Sequence, residues 1–245
     1  MKYSPLILWL CTALLAVGQE EVAPSSKINT MSTVDRAATA EANVRPALER
    51  DLAVLGLHYG APVFLRAFKQ ERSLEVWLCQ RETGRFLLFR SYSIAAASGG
   101  LGPKLAEGDG QVPEGFYYVP PAGMNPNSTF HLAFNIGYPN EYDRVLGRTG
   151  NFIMVHGSNV SIGCLAMTDA KIEEIYSLCA AALRDGQPFF RVHVFPFRMS
   201  EARMVAEKGN QHIKFWQNLY EGYQWFEDKH TLPEVIIENG RYTFK

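Results

Sequence analysis

The sequence predicts a mixed α+β fold organised around one main domain. Three observations predict it. Runs of aromatic and branched residues at Val63 to Lys69, Leu74 to Cys79 and Phe86 to Ile94 read as strands, with Thr83-Gly84 turning between the last two. Helical periodicity takes over from Asp169 and again near the C-terminus. The 245 residues, 47% hydrophobic and 20% charged, suit a single packed core with extensions.

From the N-terminus, Lys2, the apolar stretch Leu6 to Val17 and the small-x-small triplet Ala16-Val17-Gly18 make residues 1–18 an export signal. The apolar run from Pro5 to Val17 is shorter than the roughly 20 residues of a bilayer-spanning helix, so cleavage is expected and no transmembrane span should remain. Cys11 leaves with the signal, because Leu10 before it is too bulky for lipoprotein processing. Residues 19–44 are rich in Ser, Thr, Ala and Glu and lack an aromatic side chain, which reads as a spacer. Pro46 then opens a short helix carrying Leu48, Leu52 and Leu55, with Gly56 as its stop.

After the three strands comes a loop with Gly99, Gly100, Gly102, Pro103, Gly108 and Gly110, and then strands at Gly115 to Val119, His131 to Ile136 and Asn151 to His156. Thr168 or Asp169 caps a helix with Ile172, Ile175, Cys179 and Leu183 on one face, ending near Gly186, and Phe189 to Phe195 is a further strand. The main domain thus covers residues 45–203. Residues 204–245 form a helical extension whose second helix, about His212 to Glu227, carries an aromatic stripe suited to docking on the sheet.

Twenty-four Lys and Arg against 25 Asp and Glu leave a net charge of -1, which argues against nucleic acid as a partner and against an anionic membrane. Without the signal, Cys79, Cys164 and Cys179 remain, an odd number for an oxidising compartment, so at least one thiol is free or intermolecular.

The run Asn151 to Asp169, N-F-I-M-V-H-G-S-N-V-S-I-G-C-L-A-M-T-D, offers the chemistry for such a thiol. A strand delivers His156, a loop containing Gly157 and Gly163 turns back, and Cys164 follows just ahead of a helix. An imidazole activates a thiol, and a helix N-terminus would lower its pKa and present N–H groups to an oxyanion. Taken alone, a buried Cys and a satisfied His would be an equal reading.

Residues His58 to Arg203 resemble the YkuD-type L,D-transpeptidase domain, YafK-type branch. The resemblance is carried by His156-Gly157 and Ser161-Ile162-Gly163-Cys164, by G-P-K-L-A-E-G-D-G-Q-V-P-E-G-F-Y at Gly102 to Tyr117, and by G-Y-P-N-E-Y-D-R at Gly137 to Arg144. It implies a predominantly β, YkuD-like α+β catalytic domain with C-terminal helices, no cofactor, Cys164 as nucleophile, His156 as base, and Ser161, Gly163 and Gly157 shaping the turn and oxyanion site. The implied partners are peptidoglycan stem peptides and a wall-attached lipoprotein, met in the periplasm. Two departures stand out: the gap between His and Ser-x-Gly-Cys is shorter than the family's usual one, with Ile162 where a second His is common, and Ala166 stands where an Arg often lies.

Three functions remain open: transfer of a stem-peptide acyl group to an amine, hydrolysis by the same residues to release wall-attached peptide or protein, and non-enzymatic wall binding. Lys104, Tyr117, Arg144 and Arg148 are candidates for meeting the substrate, the three cations through its carboxylates, with ordinary surface charge as their alternative. His131, His193 and Cys164 lack the short-range pairing of zinc ligands, and the Gly-rich loop around Lys104 lacks the Gly-Lys-Ser/Thr ending of a phosphate loop.

Overall fold

The computed structural model describes residues 33–245, so the expected export signal and the expected spacer up to residue 32 lie outside the described residues. Helix α1 (Thr33–Val54) is followed by β1 (Val63–Phe68), β2 (Ser73–Cys79) and β3 (Phe86–Ser93). Next come β4 (Gly115–Val119), β5 (Met124–Asn125), β6 (Ala133–Asn135), α2 (Glu141–Val145), β7 (Met154–His156) and β8 (Leu165–Ala166). Helix α3 (Asp169–Arg184) leads to β9 (Phe190–Phe195), and α4 (Glu201–Ala206), α5 (Ile213–Lys229), β10 (Val235–Glu238) and β11 (Arg241–Phe244) close the chain.

A five-stranded sheet has the order β3-β2-β1-β9-β4, a four-stranded sheet the order β5-β6-β7-β8, and β10 and β11 form a separate hairpin. Mixed sheets with helices make the fold α+β, as the sequence predicts. Strand β1 is antiparallel to β2 and parallel to β9, and every one of its residues is buried. Coverage of both faces explains its almost unbroken apolar run. Leu65 and Ala67 face a layer that includes Ile172, Ile175 and Leu178 of α3, while Phe64 and Phe68 face the layer of Trp216, Tyr223 and Phe226 of α5. Arg66 is buried on that second face and is neutralised by Glu75 and Glu227.

The N-terminal expectation needs correction. Residues 33–44 belong to α1 and not to a spacer, and Pro46 lies inside this helix and does not open it. Ala37, Ala40, Val44, Leu48 and Leu52 recur at helical spacing and pack into the α3 side of the core. The stripe begins with small residues, so composition alone resembles a linker. Pro46 is tolerated because it and Ala42, whose carbonyl loses its helical partner, both sit on the exposed side.

The C-terminal extension is also more than helical. Asn239 and Gly240, at φ 52° and 70°, form the turn of the β10–β11 hairpin. Asn-Gly is the dipeptide that favours such a turn, because both central residues need positive φ. Short flanking strands had concealed it.

Candidate active site

Strands β7 and β8 run parallel, with Val155 opposite Leu165 and His156 opposite Ala166. Cys164 lies in a bend one residue before β8 and beside β7, where the Met154 N–H donates to its Sγ. His156 closes β7, and Cys164 leads into its parallel partner β8. The parallel pairing puts the two residues on adjacent segments despite the exposed loop between them.

The His156 Nδ1 lies 2.6 Å from the Gly157 carbonyl oxygen. A carbonyl can only accept, so Nδ1 carries the proton and Nε2 of the neutral ring keeps its lone pair. The Phe130 ring covers this imidazole, with ring centroids 4.7 Å apart, and His156 is buried. Burial lowers the His156 pKa, against the raising effect of the Gly157 carbonyl. Burial likewise raises the Cys164 pKa, opposed by the Met154 N–H, 3.4 Å from Sγ, and by the charge of Lys104. Both shifts favour a neutral thiol and a neutral imidazole over a standing thiolate–imidazolium pair. In this state the thiol donates to the Phe152 carbonyl at 3.7 Å, so proton transfer to His156 requires it to leave that acceptor.

One expectation about activation is corrected here. Strand β8, Met167 and Thr168 intervene between Cys164 and α3, so the thiol does not sit at a helix start, and a helix dipole acts only over its first turn. The expected oxyanion donors are also occupied: Cys164 N–H donates to Ser161 Oγ at 3.0 Å, and Gly163 N–H donates to Ser98 Oγ at 2.5 Å. Ser161 Oγ donates in turn to the Cys164 carbonyl at 2.6 Å, and Ser98 Oγ donates to the Gly110 carbonyl at 2.7 Å. Ser161 thus clamps the turn, while a substrate oxygen would have to compete with hydroxyl oxygens for the N–H groups.

The glycines have separate reasons. A Cβ on Gly157 would stand 2.6 Å from Asp169 Oδ1 and 2.7 Å from the Phe130 carbonyl, so no side chain fits beside His156. Gly163 has φ 89°, a conformation that other residues adopt only with strain. Asp169 Oδ1 also accepts the Ser158 N–H at 2.7 Å, pinning the start of the loop.

Three of the four substrate-binding candidates are internal struts. Lys104 donates to Asp109 at 2.6 Å and to the Ala106 carbonyl at 2.8 Å, so its influence on Cys164 is electrostatic. Tyr117 is buried and bonds Asp143 Oδ2 at 3.1 Å, while Arg148 bonds Asp143 Oδ1 at 2.8 Å. Only Arg144 faces solvent. Of the zinc alternatives, His131 pairs with Glu173 and His193 is buried in the core. Among the described residues, no group of three or more His, Cys, Asp and Glu side chains could hold a metal ion.

Sequence reasoning missed Ser98 and Phe130, because each reaches the site from a distant loop and neither has a local signature. It also missed an apolar rim, in which Phe130, Phe152, Val160 and Ile162 are all exposed.

The "Putative L,D-transpeptidase YafK" of Escherichia coli, in strain K12 and in O157:H7, is 44% identical over 183 residues, covering 75% of this chain and 74% of that protein. Among solved structures, the K307A mutant of the helical cell shape determining protein Pgp2 from Campylobacter jejuni aligns at 21% identity with a TM-score of 0.45, covering 69% of this chain and 57% of that one. Bd1075 of Bdellovibrio bacteriovorus aligns at 18% identity with a TM-score of 0.38, covering 68% of this chain and 58% of that one. The chain thus spans less than two thirds of those two solved chains. The YkuD L,D-transpeptidase catalytic domain matches residues 69–194, which contain both β7 and β8. On that match and on the identity to YafK, the chain belongs to the YkuD L,D-transpeptidase family.

Proposed function

We propose that this protein is an exported, periplasmic enzyme that acts on peptidoglycan stem peptides through a thioester on Cys164. The observation that supports this reading is the placement of Cys164 just ahead of β8 and of His156 at the end of its partner β7, with Nδ1 bonded to the Gly157 carbonyl and the Nε2 lone pair left to accept a proton. His156 Nε2 takes the Cys164 proton as Sγ bonds the carbonyl carbon of a stem-peptide amide. The C–N bond then breaks, the imidazolium returns the proton to the leaving amine, and the acyl group stays on sulfur. An incoming amine or water loses its proton to His156 as it attacks, and the thiol is restored. A positioned base of this kind contributes roughly a hundredfold to ten-thousandfold in rate.

Transfer to an amine is the reading that the family carries. Hydrolysis is the second reading, favoured by the short loop 157–163: Val160 and Ile162 stand out in solvent, and little chain shields the thioester from water. A wall-attached peptide or lipoprotein would then be the species released. Purified protein incubated with defined muropeptides in heavy-oxygen water, with and without an amine acceptor, separates these outcomes by mass. Labelled cleavage products in excess support hydrolysis, and unlabelled acceptor-joined products support transfer. Absence of both overturns the enzymatic reading in favour of a wall-binding protein.

A further inference from the structure

A cavity of about 530 Å³ lies away from Cys164, and none of its lining residues comes from the 151–169 run. Its floor is the end of the five-stranded sheet. Tyr118 pairs with Arg191 and Phe116 with His193 across β4 and β9, so the four side chains share one face. The β10–β11 hairpin, beyond the family-matched residues, supplies another wall through Val235, Ile237 and Tyr242.

Two features of the cavity have no internal explanation. His193 forms part of the inner wall, is 1% exposed, and neither of its ring nitrogens has a hydrogen-bond partner among the described residues. The Phe64 and Phe116 rings meet it edge to face and offer no oxygen or nitrogen. Buried polar atoms are ordinarily partnered, and an exception calls for a reason. Arg191 is half-buried, donates to the Pro233 carbonyl, and forms no ion pair among the described residues. Burial lowers its pKa, and the charge of Glu234 only partly opposes this. At the mouth, Glu141 and Glu234 are exposed carboxylates, and Tyr118 and Phe189 are exposed rings 5.3 Å apart.

We propose that this cavity is a binding site for a zwitterionic amino-acid group with an aliphatic body. The carboxylate faces Arg191 and the inner His193, where a neutral imidazole donates one hydrogen bond. The ammonium faces Glu234 and Glu141 at the rim, and the aliphatic part lies against Val235 and Ile237. Opposite charges at different depths select a ligand that carries both signs, while a simple anion meets the two rim carboxylates and a simple cation meets Arg191. Such a group occurs in a free amino acid and at the side-chain end of a diaminopimelate residue in a wall peptide. The site stands independently of the chemistry assigned to Cys164.

The test uses three probes of similar length on the purified protein: norleucine with both charges, hexanoate without the ammonium, and pentylamine without the carboxylate. Binding is followed through the His193 ring resonances, assigned with His193→Gln. Norleucine should bind at least about tenfold more tightly than either single-charge probe, a margin of about 1.4 kcal/mol. Arg191→Gln should weaken it about tenfold, Glu234→Gln should weaken it less, and Cys164→Ala should leave it unchanged. An unaltered rate of Cys164 alkylation checks that Arg191→Gln remains folded, and Glu234→Gln tests the rim without touching the interior. Displacement of norleucine by a diaminopimelate-containing muropeptide identifies the wall as the source of the group, and failure of displacement identifies a free amino acid. Equal binding of the three probes, no binding of norleucine, or binding indifferent to both Arg191→Gln and Glu234→Gln overturns the proposal.

Discussion

The seam between β1 and β9 and the strand pair β7–β8 are both parallel, yet they are built in opposite ways. The first runs in register from Phe64–Arg191 to Phe68–Phe195 and is packed from both sides by α3 and α5. The second has only Val155–Leu165 and His156–Ala166 in register, and its flanking loop is held by side chains: Ser161 on the Cys164 backbone, Ser98 on Gly163 and Asp169 on Ser158. Stability resides in the seam. The candidate site sits where polar side chains hold the backbone, so its chemistry can be altered with little effect on folding.

The largest effects should divide along this line. Cys164→Ala should abolish turnover with the melting temperature nearly unchanged. Trp216→Ala should cost about 3–5 kcal/mol of stability, because the ring is fully buried and its Nε1–H bonds Glu114 at 2.8 Å. Thermal melts beside activity assays check both, and a Cys164→Ala protein that unfolds would erase the distinction between the regions.

His156→Gln should lower the rate by about a hundredfold to ten-thousandfold and should slow Cys164 alkylation by iodoacetamide near neutral pH. Unchanged rates would make His156 a structural residue. A smaller effect is expected in the pH profile. Burial depresses the His156 pKa, so the neutral base persists below the ordinary histidine value of about 6.5, and activity should fall only at lower pH. Phe130→Ala uncovers the imidazole, weakens that depression and should move the acid limb upward toward the ordinary value. An acid limb that stays in place would show that Phe130 does not set the environment of His156.

What the sequence revealed and concealed follows the same division. The Asn151–Asp169 run was legible because His156, Gly157, Gly163 and Cys164 are close in sequence and their residue types carry the chemistry. Strands β1, β2 and β3 were legible from long runs of branched and aromatic residues. Strand β8 was not: two residues form a strand only through β7 and the bridge from Ala166 to Ala96, and without it the sequence leads Cys164 directly into a helix. Lys104, Tyr117 and Arg148 read as substrate contacts because Asp109 and Asp143, which occupy them, are assigned only by tertiary structure. The start of α1 was hidden by its alanines.

The most direct test of the central claim is intact-mass analysis of the protein quenched during turnover with a defined muropeptide. An acyl adduct should map to the peptide containing Cys164, should be cleaved by hydroxylamine as a thioester is, and should be absent from Cys164→Ala and from the peptides of Cys79 and Cys179. Turnover that continues in Cys164→Ala, or an adduct on another residue, would contradict the account.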